Sequence, residues 1–484
     1  MLFVTLSVVC FSVALFAALF PVNVDYYSLQ RFVFCAVIWL AAWIPLIEKR
    51  RRGESDRKYS MLLWFAPLLV SFLSGELYGA TYRVEPLMFF FFFFATIVFG
   101  SRLAQSDCFE LTVARFLSVA ALSSFVYALV ALMNYSFALL EGLENFDFAL
   151  AWGVPNKRYW SHLATWVIPL LAAAQKKSSL ASFTSIKVLI FISGGAWWWI
   201  LFSTSARGAA IGLIVGALVG VFIFRKSSLE WGRCFALQLL TGLASWVLLT
   251  LFIPDLLYGS SSSLGLKSGT SGRIPLWDEA WQMSLLRFPV GLGPQSWLTH
   301  PPITDAYANG KQFGHPHNMY LLWAAEYGWI LICTMVLAAL GAARKLRARR
   351  LEYLVAKRDA TLINGIVVST VAACVHASVS AVFMAPASLL IGFLVLTTLF
   401  AWLQIPDARN SRIPQQYRWE QRFLRTVAML SILLGVLWFG EIYRYYQGNL
   451  VDRSVYKGQG MMLYTPRFWS HGDYPRQFKK SSGL

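Results

Sequence analysis

Residues 314–340 read GHPHNMYLLWAAEYGWILICTMVLAAL, a polar loop with two histidines that runs directly into an apolar stretch. A bilayer core is spanned by about 20 consecutive, mostly apolar residues. The stretch from Asn318 to Leu340 has that length, with Glu326 as its charged residue. Outward from it in both directions, runs of the same kind recur about twelve or thirteen times. The expected spans are 2–20, 31–47, 60–78, 85–100, 116–138, 159–175, 186–203, 208–224, 234–253, 318–340, 361–382, 386–404 and 426–443. Composition agrees, since 57% of the 484 residues are hydrophobic and only 14% are charged. The fold class is therefore an all-α polytopic integral membrane protein.

The net charge of +18 would suit a nucleic-acid binder if it were gathered on one face. Instead it lies in short connections between apolar runs: Lys49 to Arg52, Lys176-Lys177, Arg225-Lys226, Arg344-Lys345, Lys357-Arg358 and residues 412–425. That is the positive-inside bias of cytoplasmic loops. It sets the amino terminus inside and the loop 254–317 outside, and it removes the reason to invoke nucleic acid. Six cysteines without a CxxC pair imply neither a disulfide framework nor a zinc site. Met1 to Phe20 lacks a basic start and a clear cleavage site, so it reads as the first span.

Three regions follow from this topology. Residues 1–185 hold the first transmembrane helices. Residues 186–404 form a second membrane region that includes the outer loop 254–317. Residues 405–484 hold a cytoplasmic loop, the last transmembrane helix and an external tail. The long loop begins with Ser260 to Ser263, then turns helical from Ile274 to Leu286. Leu276, Trp277, Ala280 and Met283 or Leu286 recur there at three-to-four spacing. Pro289, Gly291, Gly293 and Pro294 end the pattern. The spacing predicts an amphipathic helix at the outer membrane–water boundary.

Chemistry concentrates at that boundary. Arg207 sits between two spans joined by almost no loop. It either snorkels to the interface or clamps an anion, since a guanidinium matches phosphate oxygens in pairs. Arg273 opens the loop helix, where backbone N–H groups and the helix dipole favour anions. It is a second phosphate ligand or a surface arginine. Arg287 and Arg158 are weaker candidates of the same kind. His317 stands at the start of a span, where a neutral imidazole can serve as a base. Asn318 is a candidate cap. His315 and His317 would point the same way from extended backbone, but no further ligand accompanies them, so no metal is expected. Glu326 and His376 lie inside spans, where ionisable groups need partners and mark functional sites or structural hydrogen bonds. Walker, nucleophile-elbow, zincin and dinucleotide motifs are all missing from the sequence.

These residues resemble the O-antigen ligase and polymerase superfamily, which also holds bacterial O-oligosaccharyltransferases such as pilin glycosyltransferases. Its pattern is His, then Asn, Ser or Gln, nine residues, Gly, two residues, and Gly, Thr or Tyr. His317, Asn318 and Gly328 match it in spacing, while Leu331 departs at the last position. Ser205-Ala206-Arg207-Gly208-Ala209 resembles the family's small-residue-plus-arginine turn. The stretches from Gly272 to Trp277 and from Arg287 to Gly293 resemble its loop block.

The resemblance implies a glycosyltransferase of the bacterial inner membrane with its site facing the periplasm. The donor would be a glycan on undecaprenyl pyrophosphate and the acceptor a hydroxyl, with no metal or cofactor. Arg207 and Arg273 would hold the pyrophosphate and His317 would take the acceptor's proton. His315, Asn318, Arg287, Arg158, Glu326 and His376 would line the substrate. The segments Val154 to Pro169, Val375 to Ser388 and Pro466 to Trp469 are similar to patterns of protein-modifying members. They favour a pilin-type protein acceptor over lipid A-core ligation, with polymerisation third. A transporter of lipid-linked glycan is the rival class, but it would place charges deep in several spans.

Overall fold

The computed structural model describes residues 1–47, 84–142, 147–259, 272–310, 313–405, 429, 432–448 and 450. The expected span 60–78, the serines at 260–263, the basic segment 412–425 and the tail segment 466–469 lie outside the described residues. Every long element is a helix. They are α1 (Leu2–Phe16), α2 (Tyr26–Ile47), α3 (Val84–Leu103), α4 (Phe109–Leu140), α5 (Lys157–Lys177), α6 (Thr184–Ser203) and α7 (Arg207–Phe224). Then come α8 (Leu229–Ser245), α9 (Arg273–Leu286), α10 (Met319–Tyr327), α11 (Trp329–Val355), α12 (Thr361–Ala377) and α13 (Pro386–Gln404). Residues 432–448 are helical as well, overlapping the last expected span, 426–443, and running five residues beyond it. Among the described residues, seven helical stretches are long and apolar enough to cross a membrane. One of them, Arg207–Tyr258, is divided at Arg225, whose positive φ of 48° ends α7.

The chain forms two compact units interleaved along the sequence. The first comprises Met1–Phe34, Leu103–Ser268 and Ala343–Leu403. Its centre is α5, which is buried along nearly its whole length. Asn156 caps α5 by accepting from the Arg158 N–H at 2.9 Å. Pro169 removes one N–H from the helix's own hydrogen-bond ladder, and side chains of two neighbouring helices donate to carbonyls close to it. Trp231 Nε1 donates to the Pro169 carbonyl at 3.1 Å, and Ser369 Oγ donates to the Trp166 carbonyl at 2.6 Å. Against α12, α7 presents Gly208, Gly212, Gly216 and Gly220, one per turn. A β-carbon at Gly212 would sit 2.6 Å from the Ala372 carbonyl oxygen, and one at Gly216 would sit 2.8 Å from that of Val368. Small residues let membrane helices approach this closely.

The second unit comprises Cys35–Arg102, Gly269–Ala342 and Gln404–Leu484. The aromatic run of α3, Phe89 to Phe94, packs inside this unit. Phe89 meets the edges of Trp323 and Tyr327, and Phe91 lies 4.9 Å from Trp438. The expected span 318–340 is not one helix. Gly328, with φ 86°, separates the short α10 from α11. The cause is the loop 289–293, which packs backbone to backbone here. A β-carbon at Gly328 would fall 2.2 Å from the Pro289 carbonyl oxygen. Leu292 and Gly293 donate their N–H groups to the carbonyls of Ala325 and Glu326 at 2.9 and 2.8 Å.

The predicted loop helix is α9, one residue longer than expected. Leu276, Ala280 and Met283 are buried, as their spacing requires. Leu286 is 53% exposed, and so are Ile274 (59%), Trp281 (44%) and Leu285 (45%) on the opposite face. The helix is therefore apolar on two sides, not one.

Candidate functional site

The end of the long loop folds tightly within the second unit. Asn318 caps α10: its side-chain oxygen accepts from the N–H groups of Tyr320 at 3.0 Å and Leu321 at 3.1 Å. Those donors have no partner inside the helix, so the cap engages the Asn318 side-chain oxygen. His317 precedes it in a left-handed conformation, φ 56°. Its N–H donates to Nδ1 of His315 at 3.0 Å, and the two rings lie 4.2 Å apart between centroids. The extended backbone expected for this pair is replaced by a turn. His315 and His317 are both buried.

Glu326 lies fully buried in the last turn of α10. Its Oε1 accepts from the Trp297 N–H at 3.2 Å. The Trp297 indole N–H donates to the Phe313 carbonyl at 2.8 Å, and the Phe313 ring packs edge-on against His317 at 5.3 Å. One continuous chain of contacts thus runs from Glu326 to His317.

Arg273 and Arg287 bracket α9. Arg273 is its first residue, half-buried after the left-handed Gly272, while Arg287 follows its last residue and is exposed. Between them, Glu279 is buried and holds the returning loop. Its carboxylate accepts from Ile303 N–H at 2.8 Å, Thr304 N–H at 2.8 Å and Thr304 Oγ1 at 2.7 Å. Burial, with the Glu279 charge nearby, pushes the Tyr307 phenol well above its ordinary range. Tyr307 in turn packs on Trp297, 5.0 Å between centroids.

The remaining candidates belong to the first unit. Arg207 is exposed at the start of α7, after a turn in which Ser205 takes φ 53°. Gly208, the next residue, abuts His376: an added β-carbon would lie 3.3 Å from Nε2 of that histidine. His376 Nδ1 lies 2.8 Å from Thr165 Oγ1, and this hydroxyl donates its own hydrogen to the Ser161 carbonyl at 2.8 Å. The imidazole must therefore donate from Nδ1, which assigns its tautomer. His162 stands beside it, ring centroids 5.2 Å apart, with Nε2 2.8 Å from Ser380 Oγ. Arg158 is exposed in the first turn of α5.

Sequence reasoning missed Glu279 and Trp297, and took in His162 and Thr165 only as part of the segment Val154 to Pro169. Glu279 carried a signal, since it falls on the stripe that buries Leu276, Ala280 and Met283, and a carboxylate there must find donors. The others depend on contacts far apart in sequence. Among the described residues no group of three or more His, Cys, Asp or Glu side chains is placed to hold a metal ion.

Residues 188–336 match the family model described as O-antigen ligase. That stretch holds Arg207, Arg273, Arg287, His315, His317, Asn318 and Glu326, whereas Arg158 and His376 lie outside it. No curated protein and no solved structure matches the chain. The helices of membrane-spanning length make the chain a multi-pass membrane protein, and residues 188–336 of it are similar to the O-antigen ligase family.

Proposed function

We propose that the protein transfers a glycan from undecaprenyl pyrophosphate to an acceptor hydroxyl, at the periplasmic face of the bacterial inner membrane. The observation that supports this best is the placement of His317. It is fixed by a turn at the head of the short helix α10, in the same unit as Arg273 at the head of α9. In the proposed step the acceptor oxygen attacks the anomeric carbon. The bond from that carbon to the pyrophosphate oxygen breaks, and the electron pair leaves with the pyrophosphate. His317 takes the hydroxyl proton. Arg273 offsets the charge that builds on the leaving group, the fixed-charge stabilisation that dominates many such steps.

A protein acceptor of the pilin type is the preferred reading over lipid A-core. Its support is that the two segments resembling protein-modifying members pack on each other. His162 meets Ser380 at 2.8 Å, Thr165 meets His376 at 2.8 Å, and Trp166 Nε1 donates to Ser388 Oγ at 3.0 Å. The test is reconstitution of purified protein with undecaprenyl-pyrophosphate glycan and, separately, pilin or lipid A-core. Glycosylated pilin is the expected product. Modified lipid A-core alone makes the protein a ligase, lengthened glycan makes it a polymerase, and no product in any arm removes the transferase reading.

A further inference from the structure

We infer that His315 is a positioning residue, whose Nδ1 lone pair holds His317 in the left-handed turn that aims its imidazole. This rests on His317 being the base of the transfer step. Non-glycine residues rarely adopt positive φ, and such a conformation persists only where its surroundings over-determine it. At His317 the determinants are on both sides. Pro316 has a fixed φ and keeps residue 315 out of the helical region. The N–H of His317 donates back to His315 Nδ1 at 3.0 Å. Asn318 then takes an extended φ of −147° to begin α10. Across the ring, Phe313 packs on His317 at 5.3 Å, and its carbonyl is pinned by the Trp297 indole at 2.8 Å.

The bond from His317 to His315 has the connectivity of an Asx turn, in which a side-chain acceptor takes the N–H two residues on. Nδ1 of a histidine stands as many bonds from Cα as Oδ1 of an asparagine. Asparagine at 315 therefore supplies an acceptor at the same reach, while glutamine places its oxygen one bond too far. The arrangement also assigns the tautomer of His315. Nδ1 must be bare to accept, so the ring proton sits on Nε2. In this role the His315 imidazole acts on the backbone of its neighbour, not on the glycan.

The experiment uses the full chain in proteoliposomes with undecaprenyl-pyrophosphate glycan and whichever acceptor the wild type modifies. His315→Asn, His315→Gln and His315→Ala are compared beside His317→Ala. We expect His315→Asn to keep kcat within about threefold, and His315→Gln and His315→Ala to lose about tenfold or more in kcat. Donor KM should stay within about twofold, because orientation and not binding is lost. Asparagine no better than glutamine, all three at the wild-type rate, or a loss confined to KM would each overturn the inference. Should His315→Ala fail to fold, the comparison of two polar side chains still decides it. An active His317→Ala instead removes the base assignment, a result visible whatever residue 315 does.

Discussion

Gly208 and His376 are in direct contact across α7 and α12, with His376 Cδ2 and Nε2 3.1 and 3.3 Å from where a glycine β-carbon would stand. The contact is the outer member of a series that continues through Gly212, Gly216 and Gly220. It fixes the start of α7, and so the base of Arg207, against a buried histidine.

A methyl group at Gly212 must displace the Ala372 carbonyl, because the clash is with backbone, not with the tip of a flexible side chain. Overpacking of this kind costs about 1–3 kcal/mol. Gly212→Ala is therefore expected to lower the thermal midpoint of the purified protein and to reduce transfer. Gly232 has open space around it, so Gly232→Ala serves as the control and should be neutral or slightly stabilising. Equal midpoints for the two variants would mean that α7 and α12 do not pack as described.

His317→Ala is expected to abolish transfer while the protein still reaches the membrane in normal amount. General bases contribute at least about a hundredfold, so residual turnover should fall below that fraction. Quantitative blotting of the membrane fraction beside the transfer assay separates loss of chemistry from loss of protein. Wild-type turnover would sink the assignment.

Arg273→Lys keeps the positive charge at the head of α9 but loses the planar fork of donors. If Arg273 grips pyrophosphate through two parallel hydrogen bonds, the variant should lose about tenfold in kcat/KM, or about 1.4 kcal/mol. A lysine variant with undiminished kcat/KM would reduce Arg273 to a point charge.

The spans were legible wherever a long apolar run is bounded by polar residues. Expected 386–404 is Pro386–Gln404, and expected 186–203 is Thr184–Ser203. The break at Gly328 was not legible. A single glycine inside an apolar run is tolerated by a helix, and the backbone of Pro289 and Val290, distant in sequence, forces it open. The need of Glu326 for a partner could be read from its burial in a span, but not that the Trp297 backbone supplies it. The left-handed turn at His317 was not legible either, since histidine, though enriched there among non-glycine residues, still takes positive φ only rarely. His162 and Ser380 meet across 218 positions of chain, beyond the reach of any local pattern.

Glu279 ties the returning loop to α9 through three short hydrogen bonds to one carboxylate. Glu279→Ala leaves those donors without it and should cost about 2 kcal/mol. Limited proteolysis should then cut within 300–310 sooner than in the wild type. Glu279→Gln keeps one carbonyl oxygen and should fall between the two. Identical cleavage rates in all three would show that the loop is held by something else.

The exposed side of α9 makes the last prediction. Ile274, Trp281 and Leu285 recur at the spacing of one helical face, and all three are exposed although apolar. Asp278 and Gln282 lie along one edge of that face. Exposed apolar surface of this kind marks contact with lipid or a partner, and a helix at the membrane boundary would turn this side to the acyl chains while Gln282 meets the headgroups. A nitroxide on Leu285→Cys, in a cysteine-free background within liposomes, should then relax more with oxygen than with a water-soluble nickel chelate. The same label on Gln282→Cys should show the reverse. If both labels favour the chelate, α9 stands clear of the bilayer, and Arg273 at its head would have to meet the pyrophosphate of a membrane-bound donor from the aqueous side.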